Sequence, residues 1–130
     1  MANAVYPNFK EHLLKGDVDL DTATLSIALI DGADYTYSAT HDTYATDVPA
    51  GAKVATVALS SVTTVDGLID AADATFTAVT GDPCEILILY VSSGTTYLVA
   101  YFDTGITGIP VTPNGGDIDI TFNASGIVQL

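Results

Sequence analysis

Two stretches constrain this chain more than any others: Glu85 to Val91, which reads Glu-Ile-Leu-Ile-Leu-Tyr-Val, and Tyr97 to Phe102, which reads Tyr-Leu-Val-Ala-Tyr-Phe. Side chains of a strand point alternately to opposite faces, so segments apolar at nearly every position predict strands covered on both sides. Ser92-Ser93-Gly94-Thr95-Thr96 joins them as a hairpin loop of common length. A 130-residue chain is one domain's worth of sequence, and the rest of it must cover both faces of this pair.

The other elements follow from periodicity and turn chemistry. Pro7-Asn8 opens the one good helix pattern, with Phe9, Leu13 and Leu14 on one face, Lys10, Glu11 and Lys15 on the other, and Gly16 at its end. A helix this short is marginal alone and must pack on something. Leu25, Ile27 and Leu29 alternate with Ser26 and Ala28 as a strand that Asp31-Gly32 closes. Residues 34–47 carry Tyr35, Tyr37 and Tyr44 with few aliphatics and read as an irregular surface loop. Lys53 to Val65 is β-branched, with a bend at Ser60-Ser61, and Asp66-Gly67 is a turn. Leu68-Ile69 and Ala74 to Val79 follow, then a break at Gly81-Asp82-Pro83. After a Gly/Pro-rich stretch, Ile118, Ile120 and Phe122 alternate with Asp117, Asp119 and Thr121, and a short strand at Gly126 to Val128 ends the chain. The expected fold is mainly β: a single antiparallel β-sandwich or barrel of six to eight short strands with one N-terminal helix. The division is an N-terminal segment and helix over 1–16 and a β core over 24–130.

Composition narrows the functions. Sixteen acids face three lysines and no arginine, for a net charge of −13. Contacts to phosphate need Lys or Arg, and no basic run exists, which argues against nucleic acid and against an anionic membrane surface. The longest strongly apolar run, Ile86 to Val91, falls far short of the ~20 residues of a membrane helix. The first residues show no secretion signal. Cys84 is the only cysteine, which precludes an internal disulfide, suits a reducing compartment, and predicts a buried thiol beside Ile86 to Leu89. A mean hydropathy of +0.40 with 15% charged residues leaves surplus apolar side chains for contacts with other chains.

The search for chemistry nominates no catalytic, cofactor-binding or metal-ligating residue. Asp17-x-Asp19-x-Asp21 has the opening spacing of a calcium loop, but Thr22 stands where the sharp turn needs Gly, and Ala28 where a bidentate Glu belongs. His12 and His41 are the only histidines; both read as structural or surface residues, and no nucleophile elbow accompanies His41-Asp42. Tyr35, Tyr37 and Tyr44 offer an alternative, a carbohydrate- or receptor-contacting patch.

Val5-Tyr6-Pro7-x-Phe9-Lys10, Ala28-Leu29-Ile30-Asp31, Val65-x-Gly67-x-x-Asp70-Ala71-Ala72-Asp73-x-Thr75-Phe76, Leu98 to Gly105 (Leu-Val-Ala-Tyr-Phe-Asp-Thr-Gly) and Pro110 to Asp117 (Pro-Val-Thr-Pro-Asn-Gly-Gly-Asp) together make the chain resemble small tailed-bacteriophage virion proteins, in particular head decoration (cement) proteins. The resemblance spans nearly the whole chain and carries no catalytic motif. It implies a non-enzymatic subunit made in the host cytoplasm that binds the major capsid protein on the outer surface of the virion, as a homo-oligomer (dimer or trimer). A tail or baseplate subunit is the alternative. The expected contact residues combine apolar character with restricted backbone: Tyr6, Pro7 and Phe9 in the N-terminal segment, and Ile109, Pro110, Pro113 and Asn114 in the Gly/Pro-rich loop.

Overall fold

The computed structural model describes residues 3–130; Met1 and Ala2, the start of the expected N-terminal segment, lie outside the described residues. The chain runs β1 (Ala4–Val5), α1 (Pro7–Lys15), β2 (Leu25–Ile30), α2 (Tyr44–Asp47), a 3-10 turn (Ala50–Ala52), β3 (Lys53–Ala58), β4 (Thr63–Val65), β5 (Leu68–Asp70), β6 (Ala74–Phe76), β7 (Ile86–Val91), β8 (Leu98–Phe102), β9 (Ile118–Ile120) and β10 (Val128–Gln129). The fold is mainly β, with antiparallel sheets and one helix near the N-terminus. The sheets do not close on one another, so of the two expected architectures it is the sandwich. Ten strands form among the described residues, where six to eight were expected. The excess comes from elements of two or three residues, too short for any period to show.

The main sheet has the order β1-β8-β7-β2-β3. Strands β7 and β8 are buried at every position, as their composition requires, and β2 is buried throughout as well. The alternation in β2 therefore does not mark a wet face; Ser26 and Ala28 are small residues beneath a second cover. The pairings Leu87↔Phe102 and Leu89↔Ala100 put those four side chains on one face of the sheet, and Ile88↔Tyr101 lies on the other.

Each face has its own cover. Over the Ile88/Tyr101 face lie α1 and residues 31–52: Tyr44 stacks on Tyr90 at 4.0 Å, and Tyr37 meets Tyr101 at 5.3 Å. Two small sheets, β10-β5-β4 and β6-β9, supply the other cover. The β4–β5 hairpin turns at Asp66 (φ 55°) and Gly67 (φ 76°), the pair of positive φ values that a tight two-residue hairpin turn needs. The bend expected at Ser60-Ser61 is where the chain leaves the main sheet, since β3 belongs to it and β4 does not.

Helix α1 begins at Pro7 and ends at Gly16 in the left-handed region (φ 78°), whose N–H closes on the His12 and Leu13 carbonyls. Phe9 is fully buried, but Leu14, expected beside it, is 90% exposed. A spacing of five residues turns about 500°, which leaves Leu14 some 140° away from Phe9, whereas Leu13 falls within about 40°.

Candidate functional site

The polar chemistry of the chain concentrates under α1. Tyr6 and Tyr35 share a hydroxyl–hydroxyl hydrogen bond of 2.7 Å, and the Tyr35 hydroxyl shares another of 2.8 Å with His41 Nδ1. Burial, reinforced by the Tyr35 hydrogen bond, raises the Tyr6 phenol far above its ordinary pKa, and burial pushes Tyr35 up to about 12. Both hydroxyls therefore keep their protons at neutral pH.

His12 is held at both ring nitrogens. Its Nδ1 lies 2.8 Å from Asp17 Oδ2, its Nε2 lies 2.8 Å from Asp42 Oδ1, and its ring packs 3.9 Å from that of Tyr97. Burial by itself would lower the histidine pKa, but hydrogen bonds to Asp17 and Asp42 outweigh it and hold the imidazolium above its ordinary value. Only the doubly protonated ring can donate to both carboxylates. Asp47 reaches back in the same region, where its Oδ2 accepts the N–H of Asp42 at 2.6 Å and of Thr43 at 2.9 Å. Those two bonds pull its carboxyl below the usual range. The Lys53 ammonium sits 4.4 Å above the Tyr44 ring. The Tyr44 hydroxyl is buried and has no hydrogen-bond partner among the described residues.

These positions correct two expectations. Residues 34–47 do not present tyrosines to solvent: Tyr35 and Tyr44 are buried and Tyr37 is half-buried, because the exposed face of the main sheet needs cover. A carbohydrate-binding patch of three tyrosine rings is not displayed there. Tyr6 and Phe9, expected as partner contacts, have no exposed surface. Tyr6 is tied through its N–H to the Val99 carbonyl at 3.0 Å, and Phe9 faces the sheet from α1, so neither side chain can meet another protein. Pro7 is exposed at the first helical position. In the second segment Pro110 and Asn114 are exposed, and Ile109 and Pro113 are half-buried. That loop is pinned by paired backbone bonds between Val111 and Cys84, of 2.8 and 2.9 Å. Cys84 is fully buried, as expected, and burial pushes its thiol up to about 11.

Two carboxylate groupings merit placing. In the expected calcium-like run, Asp17 is committed to His12, and Asp19 Oδ1 accepts the Asp21 N–H at 2.9 Å. Asp31, Asp34 and Asp82 bring one carboxylate oxygen each within 4.8 Å of one another, a set able to receive a hard cation. No helix among the described residues is long and apolar enough to cross a membrane.

The open surface that the fold creates lies elsewhere, where β1 and β10 leave a seam between the main sheet and its aliphatic cover. One groove of about 250 Å³ is lined by Val5, Ala100, Phe102, Ile127, Val128 and Gln129 among others. A second, of about 380 Å³, shares Phe102, Ile127, Val128 and Gln129 and extends to Leu68 and Phe122. Sequence reasoning missed this seam because both bordering strands are two residues long. The one available signal was the apolar pair Ile127-Val128. Neither a protein-family model nor a curated protein sequence matches the chain.

Proposed function

We propose that this chain is a non-catalytic structural subunit of a tailed-bacteriophage particle: a decoration protein that binds the major capsid protein on the outer surface of the head and stabilises the shell. One observation carries the reading. His12, His41, Tyr6 and Tyr35 are taken up in hydrogen bonds within the helical cover, while the surface keeps carboxylates and an open seam lined in part by apolar side chains. A base whose two nitrogens are both engaged, and phenols that hold their protons, serve packing better than turnover. The sequence resemblance to head decoration proteins supports the same role.

Electrostatics suits this setting. A net charge of −13 keeps the chain away from packaged nucleic acid and anionic envelopes and favours a cationic docking surface. Copies of the chain repel one another, so an oligomer on the shell must be held by apolar contact or by cations from the shell.

Electron cryo-microscopy of intact particles, with and without this chain, tests the proposal. The expected result is density on the outer shell and heads that rupture at lower temperature without it. Density confined to the tail would overturn the head assignment, and absence from every particle would overturn the structural role.

A further inference from the structure

Asn114-Gly115 is the one place in the chain where asparagine precedes glycine; Asn3, Asn8 and Asn123 precede Ala4, Phe9 and Ala124. A side chain on the following residue hinders attack of its backbone nitrogen on the asparagine carboxamide, and glycine has none. Asn114, Gly115 and Gly116 are all exposed, so water and hydroxide reach them. The reaction open to such a pair is deamidation. The Gly115 nitrogen gives its proton to hydroxide and bonds to Asn114 Cγ, the Cγ–Nδ2 bond breaks, and ammonia leaves with a proton from water. Water then opens the cyclic imide at either carbonyl, which leaves an aspartyl or an isoaspartyl link.

The fold prepares one half of this reaction and withholds the other. Asn114 Oδ1 accepts the Gly116 N–H at 3.0 Å, a donor that draws charge from Cγ and stands where negative charge grows during attack. The nucleophile is capped. Gly115 N–H donates to the Val79 carbonyl at 2.7 Å, and Val79 N–H donates to the Gly116 carbonyl at 3.0 Å. Val79 is buried, and Asp117 Oδ1 accepts the Ala78 N–H at 2.9 Å, so the clamp is anchored on both strands of chain. Before Gly115 can lose its proton it must leave Val79, a local opening. We propose that Asn114 is a deamidation site kept latent by this clamp, and that separation of residues 77–79 from 114–117 sets its rate. Asp31-Gly32 and Asp66-Gly67 come second, because an ionised carboxylate resists a nucleophile; Gly32 N–H is also held, by Glu85 Oε2 at 2.9 Å. The isoaspartyl product lengthens the main chain inside the clamp, so its paired bonds cannot re-form in register. The inference is independent of the capsid role.

The test incubates the full chain in mildly alkaline buffer, folded and in urea, and maps aspartate and isoaspartate by peptide mass analysis. Asn114 should convert first in both samples, and at least about tenfold faster in urea, the factor that a released hydrogen bond provides. Asp117→Ala removes the tie to Ala78 at an exposed position and should quicken conversion in the folded chain about threefold. Asp117→Asn keeps an acceptor oxygen there and should hold the original rate. Amide exchange of Gly115 should rise in step with conversion across these variants. After conversion, protection at Val79 should fall while that of α1 is kept. Equal rates in the folded and unfolded chain, or isoaspartate at Asp66 with none at Asn114, would overturn the proposal. So would equal acceleration by both Asp117 variants, since the effect would then be one of charge.

Discussion

Under α1 and residues 31–52 the main sheet meets tyrosines and histidines bonded to one another, whereas its opposite face meets aliphatic side chains from two small sheets whose edges stay open. The first cover is directional. Tyr6, Tyr35 and His41 form a chain of hydrogen bonds, and His12 ties α1 to Asp42 on the neighbouring segment. The second cover relies on burial, with Leu87, Leu89, Phe102, Ile120 and Val128 at or below 7% exposure. Directional ties fix an irregular segment in one geometry, and apolar burial supplies non-specific adhesion that tolerates an open seam.

The largest expected effects come from cavities, and they test whether the two faces contribute equally to stability. Ile88 and Leu89 are adjacent, fully buried, and point to opposite faces of β7. Each residue changed to Ala should cost about 3 kcal/mol in chemical denaturation. A loss under about 1 kcal/mol for Leu89→Ala alone would mean the aliphatic cover is already loose. Next comes Gly108→Ala, which strikes only the small-sheet side. Gly108 has φ 117°, and an added Cβ would collide with the Asp119 carbonyl oxygen. The expected cost is about 2 kcal/mol, with lost amide protection in β6 and β9 and retained protection in α1. Loss across the whole molecule would show that the two covers unfold as one.

Tyr6→Phe should cost about 1 kcal/mol, because it removes a buried hydroxyl and leaves Tyr35 only His41. Thermal unfolding of that variant reads the directional cover alone. The smallest effect is the pH response of His12. Its pKa is raised from 6.5 in the folded chain, so its tie is complete below about pH 6.5 and weakens as pH climbs through the raised value. Hydrogen exchange of α1 amides, corrected for intrinsic rate, should quicken across that window by the equivalent of less than about 1 kcal/mol, since both carboxylates are partly solvated. Asp42→Asn should flatten the response, and an equal change in β5 or β10 would contradict its confinement to the helical cover.

Much of this architecture was legible in advance because it rests on local rules. Strands β7 and β8 announce themselves by apolar residues at every position, α1 by Pro7 and Gly16, and β9 by the alternation of Ile118, Ile120 and Phe122 with polar residues. The seam and the tyrosine network were not legible. Tyr35 and Tyr44 sit in a polar stretch that reads as solvent-facing, and their burial follows from the need to cover Tyr90 and Tyr101, residues far away in the chain.

The amino-acid order alone determined an acidic, mainly β chain with a two-sided hydrophobic centre, because periodicity and charge are properties of neighbours in sequence. Tertiary structure decided which residues face the centre and which edges remain unpaired. Strands of two residues have no period to read, and their pairing depends on partners about a hundred positions away for β1 and about sixty for β10.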